Sequence, residues 1–270
     1  MNIKKYLSPL LLVGLSVSSS ASYALDPHWT YDEQAVWGEL QNADNTVTSI
    51  PALYPFAECG LGQKQSPIEV TTLSAIAAPN NNIVPSYTPT PLAIVNNGHT
   101  IKVNIPVNVP NSAVQNFFFV GKEKYDLLQL HAHAPSEHTV NGKAFPLEIH
   151  FVHATPSGKL AVLGVLVRQG IAPNAEFQKI LDNAPAVAST TVNTPANVSI
   201  NPLALVPANK KFYTYAGSLT TPPCTEGVNW YVLRTSIVAS KAQIDAFKTL
   251  YSGNARSVQN ANGRIVETLP

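Results

Sequence analysis

Three histidines lie on two segments whose pattern predicts β-strands, and together they could bind a metal ion. His131 and His133 belong to the run LLQLHAH, and His150 belongs to LEIHFVH. Residues two apart on a strand face the same side of a sheet, so His131 and His133 project together. His150 joins them if the two strands are neighbours. Three imidazoles with a fourth position left open are the ligand set of a catalytic zinc site. We therefore predict a Zn²⁺ ion at these histidines.

Two polar residues stand where they could orient the histidine rings. Gln129 lies two residues before His131, and Glu148 lies two residues before His150, each on the same predicted strand face. A metal-binding imidazole usually donates its second N–H to an amide, a carboxylate or a carbonyl group. Gln129 and Glu148 are therefore predicted to support the ligands. His153 projects to the opposite face and is predicted to be structural.

The histidine spacing also permits another metal motif. His131 and His133 are followed by Glu137, as in the first motif of cupins, where that glutamate is itself a ligand. The cupin motif requires glycine where this sequence has Tyr125 and Ala144. A second cupin motif is not visible, so the cupin alternative is disfavoured.

The elements that must position these residues are mainly strands. Residues 160–167 form a continuous apolar run, which is typical of a strand buried on both faces. Other strands are predicted at 101–105, 125–133, 147–153, 212–215 and 228–233, and residues 184–210 are predicted to be an irregular loop. Two helices are predicted, one around 177–181 and one that begins with the capping pattern of Ser240 and Gln243. We expect a mainly β, mixed α+β fold: a single domain around a large, twisted, mostly antiparallel sheet with a few short helices.

Composition and the first residues bear on location and partners. The chain has 270 residues, of which 45% are hydrophobic and 12% charged, with a formal net charge of +1. This balance excludes disorder and disfavours nucleic-acid binding. Lys4 and Lys5, an apolar stretch over 7–17 and a small residue at Ala24 predict a signal peptide over residues 1–24. The domain would then span 25–270, be exported to the periplasm or the exterior, and not insert into a membrane.

Two cysteines stand far apart in the sequence. Cys59 and Cys224 are an even pair without CxxC spacing. In an oxidising compartment such a pair favours a disulfide, although two buried free thiols remain the alternative. A bond between them would hold the segment around Cys224.

Motifs along nearly all of the predicted mature chain resemble the α-class carbonic anhydrases, in the order of that family. They are HWTY at 28–31 with Trp37, QSPI at 65–68, NNGH at 96–99, HAHAPSEHTV at 131–140, EIHFVH at 148–153, LAVLGV at 160–165, YAGSLTTPPC at 215–224, and Trp230. The resemblance implies a ten-stranded twisted sheet with a deep central cleft. It also implies zinc-dependent, reversible hydration of CO2 to bicarbonate and a proton.

The resemblance assigns roles to further residues. Thr220 would donate a hydrogen bond to Glu137 and orient a zinc-bound hydroxide, and Thr221 would contact bicarbonate. His99 would shuttle protons to buffer, Tyr31 would join a polar water network, and the Asn254 carbonyl would support the second zinc histidine. The apolar CO2 pocket would be formed by Val152, Val162, Leu219, Val228 and Trp230. In bacterial relatives a Cys59–Cys224 type of disulfide holds the threonine loop, and such relatives are often homodimers.

Two other functions stay open at this point. The family includes members that lost zinc ligands, so a catalytically silent binding module on the same fold is one alternative. A zinc-scavenging or structural protein is the other, although the supporting and shuttle residues would then be superfluous. The intact zinc ligands, together with Glu137 and Thr220, favour the enzyme.

Overall fold

The computed structural model describes residues 26–44, 46–49, 52–77, 83–106 and 115–269. The predicted signal peptide over residues 1–24 lies outside the described residues. Within them, strands dominate and helices are short, as the sequence predicted.

The strands are numbered here in chain order. They are β1 Glu69–Val70, β2 Ile76–Ala77, β3 Ser86–Tyr87, β4 Thr90–Pro91, β5 Ala93–Asn96, β6 Ile101–Asn104, β7 Asn116–Val120, β8 Glu123–His133, β9 Thr139–Val140, β10 Leu147–Ala154, β11 Leu160–Gly170, β12 Ser199–Ile200, β13 Phe212–Ser218, β14 Glu226–Leu233, β15 Ile237–Ser240 and β16 Glu267–Thr268. The α-helices are α1 Glu58–Leu61, α2 Ala175–Asn183 and α3 Lys241–Leu250, and 3-10 helices span Tyr31–Glu39 and Pro202–Leu205.

Twelve of these strands form one large mixed sheet. Its main path runs β2-β16-β13-β14-β11-β10-β8-β6-β5, with β7 and β15 beside β8 and β11, and β3 beside β7. Most pairs are antiparallel, but β11 runs parallel to β14 and β15, and β16 runs parallel to β2. The sheet has twelve strands where ten were expected, and three of the twelve, β2, β3 and β16, contain only two residues each. A strand of two residues is too short to show the alternation of apolar and polar residues by which strands are predicted from sequence.

The sheet buries side chains on both faces, and β11 lies in its centre. Leu163 and Val165 pack into the larger core with α2 and α3, whereas Val162 and Leu166 pack into a smaller cluster on the other face. This arrangement confirms the prediction that the apolar run of β11 is buried on both sides. The smaller cluster lies on the face that carries the three histidines.

A β-bulge in β8 decides which of its residues face the histidine side. Val152 of β10 pairs with Gln129, but the next residue, His153, pairs with Leu127, so Leu128 has no partner in that register. The extra residue reverses the alternation along the strand. Leu127 therefore points into the larger core, while Gln129 points to the opposite face. Simple alternation would have placed both residues on one face.

Two helices pack on the larger core, as predicted. Asn174 caps α2, and Ser240 and Gln243 form the capping box at the start of α3. Phe177 of α2 and Phe247 of α3 are buried with ring centroids 6.1 Å apart. The 3-10 helices and α1 were not predicted because segments this short show little apolar periodicity. Residues 184–210 are mostly irregular, as expected, but contain β12 and one of the 3-10 helices.

A disulfide joins Cys59 of α1 to Cys224 in the turn between β13 and β14, which confirms the predicted pairing. The bond therefore connects the region near the chain start to the turn that carries Thr220 and Thr221. Among the described residues no helix has the length and apolar character needed to cross a membrane.

Candidate metal centre

The register of β8 and β10 brings the three predicted ligands together. His131 lies directly opposite His150, and His133 lies opposite Glu148. Directly opposed residues of antiparallel strands share one face of the sheet. The ligand nitrogens of the three histidines all lie within 4.8 Å of one another.

Each ring has one nitrogen engaged and the other facing the centre. His131 Nδ1 lies 2.9 Å from Gln129 Oε1, and His133 Nδ1 lies 2.6 Å from the carbonyl oxygen of Asn254. His150 uses its other nitrogen: Nε2 lies 2.9 Å from Glu148 Oε1. Since these oxygens accept, each engaged nitrogen carries the proton. Nε2 of His131, Nε2 of His133 and Nδ1 of His150 are left with lone pairs.

The rings are held in the neutral form that binds metals. Burial lowers the pKa of all three histidines, and the neighbouring imidazoles lower the pKa of His131 further. The pKa of His133 falls to about 4, even though its hydrogen bond to the Asn254 carbonyl opposes the shift. His133 Nε2 is buried and has no hydrogen-bond partner among the described residues. Three converging neutral imidazole nitrogens, one of them a buried orphan, fit a zinc ion.

Glu148 connects the centre to a buried hydrogen-bonded series that the sequence analysis missed. Its Oε1 also lies 2.7 Å from His138 Nδ1, and its Oε2 accepts from the His138 backbone N–H at 2.8 Å. His138 Nε2 lies 2.7 Å from the Tyr215 hydroxyl, which donates to Ser66 Oγ at 2.9 Å. Burial opposes ionisation of Glu148, but His138 and His150 outweigh it and hold the pKa of this carboxyl well below its usual range.

His138, Glu148 and His150 also lie close enough to form a second potential metal-binding group. In the structure, however, Glu148 Oε1 is engaged in hydrogen bonds with both His138 and His150. The His138 ring also has its second nitrogen engaged by the Tyr215 hydroxyl. These residues therefore support the first centre and do not form another one.

Glu137 lies behind the histidines. Its Oε1 accepts the Arg256 backbone N–H at 2.8 Å, and its Oε2 lies 3.8 Å from His150 Nδ1. Burial raises the pKa of Glu137 to about 7, although His150, the Arg256 N–H and the Thr220 hydroxyl oppose this rise. The role that the family resemblance gives to Glu137, as acceptor of the Thr220 hydrogen bond, requires an ionised carboxylate, and the raised pKa opposes this ionisation. A cation at the histidines would favour the ionised carboxylate.

Arg256 was not predicted, and it fixes the backbone N–H that contacts Glu137. Its buried guanidinium donates to Gln65 Oε1, to the Ser66 carbonyl and to the Cys59 carbonyl, at 2.9, 2.8 and 3.0 Å. These partners lie almost 200 residues earlier in the chain, so no local sequence pattern could have indicated them.

The residues predicted to form an apolar pocket lie together beside the centre. Val162, Val228 and Trp230 belong to the smaller buried cluster, and Val152 and Leu219 pack against it. The rings of Trp230 and His150 have centroids 4.9 Å apart. The three histidines thus have an apolar wall on the β11–β14 side.

His99 and Tyr31 lie at a separate, open part of the site. Both line a cavity of about 180 Å³, together with His28, Trp29 and Asn254 among others. The His99 ring stacks on Trp29 with centroids 3.6 Å apart. Partial burial and the charge of His28 lower the pKa of His99. Burial, with Glu137 nearby, raises the pKa of the Tyr31 hydroxyl well above its usual range.

Comparisons with known proteins agree with this geometry. Residues 52–269 match the family described as eukaryotic-type carbonic anhydrase. A carbonic anhydrase of Nostoc sp. is 36% identical, over 95% of this chain and 95% of that protein. A carbonic anhydrase of Neisseria gonorrhoeae is 35% identical, over 96% and 95%.

Solved structures give the same result. The α-carbonic anhydrase of Thermovibrio ammonificans, in complex with the inhibitor sulfanilamide, has a TM-score of 0.77 and 34% identity, covering 90% of this chain and 99% of that one. A hyperthermostable carbonic anhydrase from a hydrothermal vent chimney has a TM-score of 0.78 and 36% identity, covering 90% and 100%. This chain therefore belongs to the eukaryotic-type, or α-class, carbonic anhydrase family, and it is an enzyme of that class.

Proposed function

We propose that this enzyme hydrates CO2 reversibly to bicarbonate and a proton at a zinc ion held by His131, His133 and His150. The observation that carries the proposal is the set of three neutral ring nitrogens that converge within 4.8 Å. A zinc ion in such a site is a Lewis acid that makes water a nucleophile near neutral pH, as is known for carbonic anhydrases.

Each histidine ring makes a hydrogen bond through the nitrogen that faces away from the centre, and this bond keeps the other nitrogen aimed at the metal site. Gln129, the Asn254 carbonyl and Glu148 accept these bonds, at 2.9, 2.6 and 2.9 Å. Partners of this kind fix the tautomer and raise the basicity of the ligand. The carboxylate of Glu148 is itself held by His138, so the orientation of His150 is supported from two sides.

Thr220 and Glu137 orient the attacking water. The Thr220 hydroxyl donates its proton to the ionised Glu137 carboxylate, which leaves the hydroxyl only lone pairs to offer to water. A hydrogen bond from Thr220 to Glu137 favours the ionised carboxylate and opposes the rise in the pKa of Glu137 that burial causes. Thr221 follows in the same turn and contacts the bicarbonate product.

CO2 binds against the apolar wall. CO2 has no net charge, so its binding is stabilised by the removal of apolar surface from water and not by charged groups. The members of that wall are Val152, Val162, Leu219, Val228 and Trp230.

His99 transfers the released proton to buffer. Histidine is the side chain whose charge ordinarily changes between about pH 5 and 8, so it can accept and release a proton in this range. The lowered pKa of His99 favours release of the proton to buffer. Its ring lines the open cavity, where it reaches solvent, and Tyr31 lines the same cavity and joins the water network that leads to it.

The experiment is stopped-flow CO2 hydration by the purified, zinc-loaded protein, beside its His133→Ala and His153→Gln variants. His133→Ala should lose zinc, measured by atomic absorption, and its activity. The matched control is His153→Gln, because His153 lies on the opposite sheet face and contacts the Tyr87 hydroxyl at 2.7 Å. It should keep its zinc. A His133→Ala protein with full zinc would refute the ligand assignment, and a zinc-loaded, folded wild type without activity would favour the silent binding module.

Export is the proposed location, to the periplasm or beyond the cell. The Cys59–Cys224 disulfide supports an oxidising compartment. Detection of a mature chain that begins at residue 25 in the periplasmic fraction would test the signal peptide. A homodimer is proposed by analogy with bacterial relatives, and sedimentation velocity would test it.

A further inference from the structure

The turn that carries His99 has a shape fixed by its own hydrogen bonds. It links β5 to β6, and Asn96, the last residue of β5, accepts the Gly98 backbone N–H with Oδ1 at 3.1 Å. Asn97 Oδ1 accepts the backbone N–H groups of His99 and Thr100 at 3.0 and 2.9 Å. Gly98 has a φ of 90°, which glycine adopts without the steric penalty of a Cβ atom. Because these bonds fix the turn internally, the place of the His99 ring depends on what holds the turn against the rest of the protein.

Asn96 attaches the turn to two distant segments. This buried side chain donates from Nδ2 to the Pro185 carbonyl at 2.9 Å, and its Oδ1 also accepts a hydrogen bond from the Tyr251 hydroxyl. The backbone carbonyl of Asn96 accepts the Ser189 N–H at 2.8 Å. Both lone pairs of Oδ1 are therefore in use, one inside the turn and one on Tyr251. Asn96 thus connects the turn with the loop that follows α2 and with the end of α3.

Tyr251 is held in place by α3 and the larger core. It is the residue after α3, where its backbone N–H donates to the carbonyl of the buried Phe247 at 2.8 Å. Its ring packs against the larger core, and Tyr251 lines the same cavity as His99. Burial raises the pKa of Tyr251, whereas the Gly98 N–H and the Asn96 side chain lower it, so the hydroxyl interacts with two residues of the turn. The hydroxyl therefore transmits the position of α3 to the turn.

The position of the turn matters because the His99 ring packs on a separate segment. His99 stacks on Trp29, with ring centroids 3.6 Å apart and planes 6° apart, and Trp29 lies just before the first 3-10 helix. A gap of about 1 Å removes up to about half of the dispersion attraction between two surfaces. A displacement of about 1 Å in a reacting group can also cost about a hundredfold in rate. A small movement of the turn is therefore enough to change both the ring stack and the rate of proton transfer.

We propose that Tyr251, acting through Asn96, is a positioning residue for His99. Its hydroxyl holds the turn so that the His99 ring stays stacked on Trp29 beside the cavity. The part of this inference that concerns proton transfer rests on the proposed function, in which His99 carries the proton to buffer. Tyr251 and Asn96 lie outside both the three histidines and the apolar wall, so loss of the hydroxyl leaves the conversion of CO2 itself unchanged.

This role predicts a separation between two kinetic constants. In each cycle the proton leaves after the bicarbonate, so its transfer limits kcat and does not enter kcat/KM. Tyr251→Phe keeps the ring that packs on the core and removes only the hydroxyl. In dilute buffer we expect kcat to fall about fivefold, the factor that corresponds to one ordinary neutral hydrogen bond, while kcat/KM stays unchanged. Added imidazole should restore kcat, because it accepts the proton in place of His99.

A second measurement follows the His99 ring by NMR without any turnover. The ring current of Trp29 shifts the ring protons of His99 upfield, and their signals are assigned by comparison with the spectrum of His99→Ala. In Tyr251→Phe these signals should move towards the values of a free histidine. The matched control is Tyr54→Phe, because this half-buried tyrosine lines another cavity, where its hydroxyl lies 3.0 Å from the Gln41 amide nitrogen. It should change neither kcat nor the His99 signals.

A double-variant cycle tests whether Tyr251 acts through Asn96. Asn96→Ala should also lower kcat in dilute buffer, since it removes the same connection. Adding Tyr251→Phe to Asn96→Ala should then cause no further loss, because the hydroxyl has already lost the side chain through which it acts.

The outcomes separate the positioning role from the proposed function. Unmoved His99 signals in Tyr251→Phe would overturn the positioning role, and full additivity with Asn96→Ala would overturn the route through Asn96. A wild-type kcat in dilute buffer, or an equal fall in kcat and kcat/KM, would refute the link to proton transfer. If His99→Ala hydrates CO2 as fast as the wild type in dilute buffer, the proposed shuttle fails, whereas the His99 signals still decide the positioning role.

Discussion

Removal of the Cys59–Cys224 disulfide should destabilise this protein strongly. The bond joins residues 165 positions apart. The loop-closure entropy that such a bond removes from the unfolded chain corresponds to about 5 kcal/mol at 25 °C. Natural domains are stable by only about 5–15 kcal/mol in total, so the loss is a large share of the whole. We therefore expect the Cys59→Ser, Cys224→Ser double variant to lose about 5 kcal/mol of unfolding free energy.

The conformation of the folded state around Cys224 should change little in the double variant. The Gln65 amide donates to the Cys224 carbonyl at 3.1 Å, and the Arg256 guanidinium donates to the Cys59 carbonyl at 3.0 Å. The backbone N–H of Cys224 also bonds to the Thr221 carbonyl at 2.9 Å. These contacts keep the turn in place without the covalent bond. The cost of the double substitution should therefore lie mainly in a larger and more flexible unfolded ensemble.

Urea unfolding followed by tryptophan fluorescence, together with CO2 hydration under native conditions, measures both effects. Reduced wild-type protein is the control, because it lacks the cross-link but keeps both sulfur atoms, and it should match the double variant. A loss below about 1 kcal/mol would refute the loop-closure reasoning. A large loss of activity in fully folded protein would instead show that the bond holds the turn in the native state.

The remaining predictions concern His99, which lines the open cavity, and His153, which is buried in the core. His99→Ala should slow CO2 hydration by at least about tenfold in dilute buffer and recover with added imidazole, because the variant lacks the proposed proton carrier; equal rates in dilute buffer would place the shuttle elsewhere. His153 is buried, and burial lowers its pKa to about 3. Since the unfolded chain binds this proton near pH 6.5 and the folded one does not, stability should fall as the pH drops from about 6.5 to about 3, and the His153 contribution is about 1.4 kcal/mol per pH unit. In His153→Gln, urea titrations across this range should show a correspondingly shallower slope, and an unchanged slope would contradict the assignment.

Much of the site followed from local patterns in the sequence. Alternation placed His131 and His133 on one strand face and His153 on the face opposite His150, because side-chain direction has a period of two along any strand. The start of α3 could be predicted for a similar reason, because the side chains of Ser240 and Gln243 accept hydrogen bonds from backbone N–H groups within the same first turn. The disulfide could be inferred because only two cysteines are available to pair. These features depend on residues that are close in the chain, or, for the disulfide, on the number of cysteines.

Other features depend on contacts between distant segments, and only the tertiary structure decided them. The bulge at Leu128 has no local signature, because it arises from the register of β8 against β10. Arg256 reaches Glu137 across 119 positions, and the series from Glu148 through His138 to Tyr215 and on to Ser66 spans up to 149 positions in one bond. Lys102 stands beside His131 for the same reason, since strand order sets that pairing. Residue types determined which chemistry is available to this protein, while register and strand order determined which groups meet to perform it.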